Sequence, residues 1–264
     1  MTREANLHVV RDLMRYHLAA NMGIYFDGCD ELSDDLRYCW SQSIADFYWN
    51  YGFSLEARPA SEADTRDIVT AAQKHGRAPA IWQLTQQAIP QGWSSASEEA
   101  WMTADLASLK SIPRPKFAVK IEIHDQPTPA MVAVFSDAYS TEGSPSDVGY
   151  FALPPEYVTR FAEGRSRPPA SSYAVSASVD GQAVAVASIC LVERVVGLYS
   201  VATTHSWRRR GLGKYISGQA LELARDRGSN RAFLQTESDS VVEEMYHSIG
   251  FSRRFVGRLL VQSS

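Results

Sequence analysis

The sequence lacks several features that would assign it to a familiar class of proteins. It has no basic surplus, since 26 Lys and Arg residues stand against 30 Asp and Glu residues, for a net charge of −4. Nucleic-acid-binding proteins usually carry a basic excess, so we expect no nucleic-acid partner. Only 3 of the 264 residues are cysteines. Their spacing fits no zinc site, so we expect no bound metal and a reducing compartment.

Long apolar stretches are also missing. The longest lies near residues 183–192 and is too short to span a bilayer, which takes about 20 residues. The first residues carry no apolar core of the kind that signal peptides have. Hydrophobic residues make up 45% of the chain and charged residues 21%, which is ordinary for a soluble globular protein. We therefore expect a cytoplasmic protein without a membrane partner, as a monomer or a homodimer.

One glycine-rich turn stands out between a strand-like run at residues 198–203 and a helix-like run with apolar residues at three- and four-residue steps. The first turn of a helix offers unpaired backbone N–H groups and the positive end of the helix dipole, and glycine lets a phosphate approach them. The turn therefore predicts a phosphate site. Its spacing excludes both G-x-x-x-x-G-K-[ST] and G-x-G-x-x-G. The turn consists of Arg208, Arg209, Arg210, Gly211, Leu212, Gly213 and Lys214.

The spacing that does fit is [RQ]-x-x-G-x-[GA], filled by Arg208, Gly211 and Gly213. After a helix and a strand, residues 246–251 fit Y-x-x-x-G-F. With these pieces in this order, the chain resembles the GNAT superfamily of acyl-CoA-dependent N-acyltransferases. The resemblance implies an α/β (α+β) fold, in which helices flank a mixed, mostly antiparallel sheet. It also implies acetyl-CoA as the co-substrate.

The resemblance further implies roles for individual residues. The backbone near Val201, Ala202 and Thr203 would pair with the pantetheine arm and face the thioester carbonyl, beside two strands that splay apart. Tyr246 would donate a proton to the leaving thiolate. Asp239 stands seven residues before Tyr246, where the family often has Asn, and its negative charge puts the usual cofactor contact there in doubt.

The general base is harder to identify from the sequence. An alkylammonium with a pKa near 10.4 is neutral only about once in 2,500 molecules at pH 7, so a proton acceptor or a chain of waters is needed. We take Glu193 and Glu237 as catalytic candidates. The alternatives are His205, and Glu142 and Asp147 from a Gly-, Ser- and Pro-rich loop. Each of these side chains also fits an ordinary surface charge.

Two prolines within residues 111–116 exclude regular structure and predict a linker. They separate an N-terminal α/β domain at residues 1–112 from an acetyltransferase domain at residues 117–264. The order helix, Gly76, strand, helix, strand in the first part matches the order around Gly228 in the second. The first part has no R-x-x-G-x-G. We therefore predict a tandem protein whose N-terminal half is a degenerate GNAT-like unit. Chance recurrence of a common α/β order is the alternative.

The leading hypothesis is an N-acetyltransferase that moves acetyl from acetyl-CoA to a primary amine of a small molecule. A catalytically silent acyl-CoA sensor or scaffold, a protein or peptide N-acetyltransferase, and a patch for RNA or another polyanion are the alternatives. The aromatic-rich residues 38–53 indicate either a core of large side chains or the wall of an enclosed pocket. The second of these interpretations favours the small-molecule acceptor.

Overall fold

A computed structural model describes residues 3–84, 88–140 and 153–263, with side chains from residue 7 onward. The base candidates Glu142 and Asp147 lie outside these ranges. So do residues 85–87, which belong to the short helix predicted before Gly92; residues 88–92 form no helix. Within the described residues no helix is both long enough and apolar enough to cross a membrane.

Eleven strands are present in the described part of the chain. They are β1 (Gly28–Glu31), β2 (Leu36–Trp40), β3 (Tyr51–Ser54), β4 (Ala80–Gln83), β5 (Trp93–Asp105), β6 (Lys120–His124), β7 (Ser171–Val179), β8 (Gln182–Val192), β9 (Val195–Thr203), β10 (Arg231–Glu237) and β11 (Ser252–Gln262). Six α-helices accompany them. They are α1 (Arg3–Asn21), α2 (Glu62–Lys74), α3 (Pro129–Ala138), α4 (Pro155–Glu163), α5 (Leu212–Asp226) and α6 (Val241–Ile249).

All eleven strands form one mixed sheet in the order β1-β2-β3-β4-β11-β5-β10-β9-β8-β7-β6. The order has internal symmetry. Strands β1, β2 and β3 form an antiparallel meander, and β4 joins it in parallel after α2; β7, β8, β9 and β10 repeat this pattern around α5. The two halves therefore share one topology, as the predicted tandem arrangement requires.

The halves are joined by an exchange of their last strands. Strand β5, from the first half, pairs with β10 of the second, while β11, from the second half, pairs with β4 of the first. These two strands also pair with each other at the centre of the sheet. Residues 109–119, which contain the predicted linker, form no helix or strand. The division into residues 1–112 and 117–264 stays a prediction.

The two faces of the sheet carry different helices. Leu212, Ile216 and Ala220 of α5 pack with Tyr246 and Ile249 of α6 in one apolar cluster on the first face. Helices α1, α3 and α4 cover the opposite face, where Trp101 and Phe233 point. Because side chains alternate along a strand, neighbours such as Leu234 and Phe233 enter different clusters. We call these the α5 face and the α1 face.

Candidate functional site

A cleft opens between the parallel strands β9 and β10. They pair at three positions only, of which Gly197 with Phe233 is the last. Beyond this point β9 remains paired with β8, and β10 with β5, but not with each other. Residues 198–203 and 234–237 therefore border a wedge in the sheet. This is the splay that the GNAT resemblance implies.

A β-bulge lies in β9 where it borders the cleft. Tyr199 pairs with Ser188 and Ala202 with Val186, so two residues of β9 face one of β8. Ser200, the first of the two, has a φ of 50°. Bulges of this kind redirect the local backbone and are common beside functional sites. The Val201 carbonyl, next in the chain, accepts a hydrogen bond from the Tyr139 hydroxyl at 3.4 Å.

The glycine-rich turn forms a concave row of backbone donors at one end of the cleft. Arg209 and Gly211 have φ values of 61° and 82°, and Gly211 is the residue before the first turn of α5. Within the described residues, the six N–H groups of residues 209–214 donate to no protein acceptor, whereas the Tyr215 N–H donates to the Gly211 carbonyl at 3.0 Å. Consecutive unpaired N–H groups in such a backbone, at a helix start, form an anion site.

The basic side chains of the turn have different surroundings. Arg208 is half-buried and donates to the carbonyl oxygens of Thr203 and Ala138, so it fastens the turn to β9 and α3. The guanidinium of Arg210 lies 4.6 Å from the ring centre of Trp207. Arg209 is exposed and Lys214 half-exposed. Of the predicted phosphate-binding charges, Arg209, Arg210 and Lys214 remain available to a ligand, while Arg208 has a structural contact.

The corresponding helix start in the N-terminal half is closed by its own side chains. At the start of α2, the Ser61 hydroxyl accepts from the Asp64 N–H, and the Asp64 carboxylate accepts from the Ser61 N–H at 2.7 Å. Arg58 pairs with both Asp64 and Asp35. Its hydrogen bonds to Asp64 hold the pKa of that carboxyl at about 2. A carboxylate already occupies the position where a phosphate would bind, which agrees with a degenerate first half.

Tyr246 lies on the α5 face of the sheet. It is buried, with 6% of its surface exposed, and packs edge-on against Phe251 with 5.7 Å between ring centres. Tyr246 is therefore a packed residue of the helix–sheet interface. Its neighbour on α6, Met245, lies close to Gly213 of the turn, since a Cβ on that glycine would be 3.9 Å from the Met245 sulfur. Tyr246 thus belongs to the helix that borders the predicted cofactor turn.

Asp239 has a basic partner. Its carboxylate accepts from Arg253 Nη2 at 2.7 Å, and the same guanidinium pairs with the buried Glu243. Arg253 is shared between two carboxylates, so it reduces the negative charge at Asp239 without cancelling it, and the doubt about a cofactor contact at Asp239 remains. The Glu243 carboxylate also accepts from the Asp239 N–H at 2.8 Å, which fixes the start of α6.

The structure separates the two carboxylates that the sequence suggested as catalytic. Glu193 occupies the turn between β8 and β9, where it pairs with Arg15 at 3.1 Å. The nine residues of β9 put it roughly 26 Å from the glycine-rich turn, so it is not brought to the cleft. Glu237 ends β10 and does border the cleft. The alternative candidate His205 follows β9, and its N–H donates to Asp137 on α3 at 2.8 Å.

A carboxylate that sequence reasoning missed is Glu99 on β5. It pairs directly with Glu237 across the β5–β10 ladder. Burial raises the pKa of Glu99 to about 7, the negative charge of Glu237 adds to this rise, and a hydrogen bond from Tyr48 opposes it. The signal was present only in the three-dimensional pairing, since residues 99 and 237 lie far apart in the chain.

Aromatic side chains line the α1 face beside the bulge. Tyr25 shares a hydrogen bond with Ser200 at 3.3 Å and stacks on Trp49 with ring centres 4.4 Å apart. Trp49 contacts Tyr157, whose hydroxyl donates to Asp46. The interpretation of the aromatic-rich region as a core of large side chains is confirmed for Tyr38, Tyr51 and Phe53, which are buried. The interpretation as a pocket wall stays a prediction. Burial raises the pKa of Asp46.

A comparison with known protein families identifies the family of this chain. Residues 58–260 match the family described as probable histone acetyltransferase Rv0428c C-terminal. The match spans most of the chain, and the protein belongs to this family. A search of curated proteins found no match.

Solved structures support the fold. A GCN5-related N-acetyltransferase from Kribbella flavida is similar over 97% of this chain and 96% of its own, with a TM-score of 0.68 and 18% identity. A tandem GNAT protein from the clavulanic acid biosynthesis pathway matches 85% of this chain and 77% of its own, with a TM-score of 0.58 and 13% identity. A GCN5-related N-acetyltransferase from Sphaerobacter thermophilus has a TM-score of 0.56 at 12% identity, over 88% of this chain and 81% of its own. The protein has the GNAT fold.

Proposed function

We propose that the protein is an N-acetyltransferase that moves acetyl from acetyl-CoA to a primary amine of a small molecule, by direct attack in a ternary complex. The observation that carries the proposal is the placement of six unpaired backbone N–H groups at the end of the β9–β10 cleft. Family membership and the GNAT fold support the same reaction.

The residues present fit acetyl-CoA, which supplies the activated acetyl group. The N–H groups of residues 209–214 would hold its pyrophosphate, and Arg209, Arg210 and Lys214 would add positive charge for its phosphates. The backbone from Val201 to Thr203 borders the cleft where the pantetheine arm would pass. A backbone N–H at the bulge would stabilise negative charge on the carbonyl oxygen during transfer.

The protein groups that act on the leaving thiolate and those that contact the amine would lie on opposite faces of the sheet. Tyr246 would protonate the thiolate from the α5 face, since a phenol with a pKa near 10 is protonated at neutral pH. On the α1 face, the half-buried ring of Trp49 would contact the body of the acceptor, and the buried rings of Tyr25 and Tyr157 would support it from behind. Aromatic faces attract alkylammonium groups by about 0.5–2 kcal/mol each. A small cationic amine fits this lining.

A second acceptor class comes from the family description, which names a histone acetyltransferase. A lysine side chain in a peptide presents the same ammonium group as a small amine. An extended peptide would have to run along the α1 face beside Trp49 and Tyr48, both half-buried there. We therefore include a protein lysine as the alternative acceptor in the test below.

The test is thiol release from acetyl-CoA, followed with a thiol-reactive dye, against a panel of diamines, amino acids, amino sugars and a lysine-rich histone-tail peptide. The proposal expects amine-dependent release with at least one small amine, and mass spectrometry of an N-acetyl product. Preferential turnover of the peptide would favour the protein acceptor. Binding of CoA without release across the panel would support a silent sensor. Competition by RNA but not by CoA would indicate a polyanion patch.

A further inference from the structure

Two carboxylates from different halves of the chain stand side by side in the sheet. Glu99 lies on β5, the strand that the first half contributes, and Glu237 ends β10 of the second half. They are direct partners in the antiparallel ladder, so their Cβ atoms are about 5 Å apart on the same face. Trp101 and Phe233, each an even number of residues away, identify this as the α1 face.

The pair lies beside the cleft at the height of the bulge. Glu237 is four residues beyond Phe233, and Val201 is four residues beyond Gly197, the last pair that joins β10 to β9. Glu237 is therefore roughly 13 Å past the point where the strands separate, and Val201 roughly 10 Å, because the bulge takes up one residue of β9. Glu99 is one strand farther from the cleft than Glu237, about 5 Å beyond it, so its carboxylate would reach an amine in the cleft through one water.

Among the residues that the structure describes, no cation pairs with Glu99. Its partner on β11 is Gly257, and the next residue on that strand, Arg258, pairs with Glu98 on the opposite face. Within the described residues neither Glu99 nor Glu237 forms an ion pair. From α1, His17 contacts Trp101, and burial lowers the pKa of that imidazole to about 3, so it is neutral.

The remaining ionisable neighbours come from residues 46–48. Tyr48 hydrogen-bonds Glu99 and is itself kept protonated, because burial raises its pKa to about 12. Asp46 accepts from the Tyr48 N–H at 2.8 Å. Glu99 is thus a part-buried carboxyl next to one negative charge, that of Glu237, and one hydroxyl donor, that of Tyr48. Its pKa of about 7 suits proton transfer near neutral pH.

We propose that Glu99, contributed by the degenerate N-terminal half, is the general base for the acceptor amine, and that Glu237 and Tyr48 set its basicity in opposite directions. This inference rests on the proposed function. The Glu99 carboxylate takes a proton from the acceptor ammonium, and the free amine attacks the thioester carbonyl. The C–N bond forms and the C–S bond breaks. Tyr246 gives its hydroxyl proton to the leaving thiolate. The attacking nitrogen then loses a second proton, which restores the Tyr246 hydroxyl, and Glu99 releases the proton that it took from the ammonium to water.

The inference gives the exchanged strand β5 a chemical role. Strand β10 pairs with β5 along its whole length, so β5 both covers the edge of β10 and brings Glu99 next to Glu237. Base and acid also stand on opposite faces, with Glu99 on the α1 face and Tyr246 on the α5 face. An amine that enters from the α1 face is therefore on the same side of the sheet as the base, while the proton donor for the leaving thiolate is on the other side.

The test compares pH profiles of kcat for Glu99→Gln, Glu237→Gln and Tyr48→Phe, with the best amine of the panel, between pH 5.5 and 9. The kcat of the wild type should rise with pH, with the midpoint of the rise near pH 7. Glu99→Gln should lose this rise and fall at least 100-fold at pH 7.5. Glu237→Gln should move the rise to lower pH, because it removes a negative charge. Tyr48→Phe should move it to higher pH, because it removes a hydrogen bond to the carboxylate.

CoA titration by calorimetry and thermal unfolding provide the control, since none of the three side chains belongs to the glycine-rich turn. CoA affinity should stay within about twofold of wild type. An active wild type with an unchanged pH profile in Glu99→Gln would overturn this inference alone. Loss of the rise in Glu237→Gln instead of a shift would assign the base to Glu237 and also overturn it. A wild type that turns over no amine would refute the proposed function, and this inference with it.

Discussion

Two glycines at the opposite ends of α5 allow a matched test of the cofactor turn. Gly211 precedes the helix with a φ of 82°, and Gly228 follows it with a φ of 93°. Apart from the two adjacent residues, no described atom would lie within 4 Å of a Cβ at either position. Alanine at either site should therefore lower the free energy of unfolding only through its left-handed backbone conformation, by about 1 kcal/mol. We expect the melting temperature of both variants to fall by about 2–4 °C.

The variants should differ in CoA binding. The Cβ of Gly211→Ala projects beside the six free N–H groups, where a pyrophosphate would have to approach, while Gly228→Ala changes the far end of the helix. We expect at least a tenfold loss of CoA affinity, about 1.4 kcal/mol, for Gly211→Ala and none for Gly228→Ala. Calorimetric titration with CoA measures both. Equal affinities in the two variants would refute the assignment of the turn as the phosphate site.

Two further substitutions separate structural from chemical roles. Asp64→Asn should lower the free energy of unfolding by about 1–2 kcal/mol at pH 7 without weakening CoA binding, because the folded-state pKa of about 2 lies below the usual 3.8. In the wild type, the contribution of the Asp64 carboxylate to the free energy of unfolding should be present above pH 4 and disappear as the pH falls through 2. Denaturant titrations of the two proteins should therefore give the same free energy of unfolding in acid. A difference between them that does not change with pH would contradict the ion-pair explanation. Tyr246→Phe should retain the packing against Phe251 and the affinity for CoA while kcat falls about 10- to 100-fold, and an unaltered kcat would exclude Tyr246 as the proton donor.

Much of the fold was predictable from local sequence. Helix α4 begins with a proline at its first position, Pro155, and the Asp180-Gly181 turn that joins β7 to β8 has both residues at positive φ. These features depend on side-chain periodicity and turn chemistry within a few residues. For the same reason the glycine-rich turn was found from its letters alone.

The features that sequence reasoning missed depend on pairing between distant residues. The alternating pattern of β5 predicts a strand but does not say that it lies between β10 and β11, more than a hundred residues later in the chain. Glu99 becomes a candidate only through this pairing. Glu193 shows the opposite case. It is near the cofactor strand in sequence, yet β9 is extended and carries it to the far end of the sheet.

The central claim is that the backbone N–H groups of residues 209–214 bind the pyrophosphate of acetyl-CoA. The most direct measurement is a backbone amide NMR titration of the ¹⁵N-labelled protein with CoA, with the start of α2 as an internal comparison. The account expects the largest, saturable shifts at residues 209–214 and little change at residues 61–64, where Asp64 already occupies the helix start. Saturable binding with the largest shifts elsewhere, or no shifts at millimolar CoA, would contradict it.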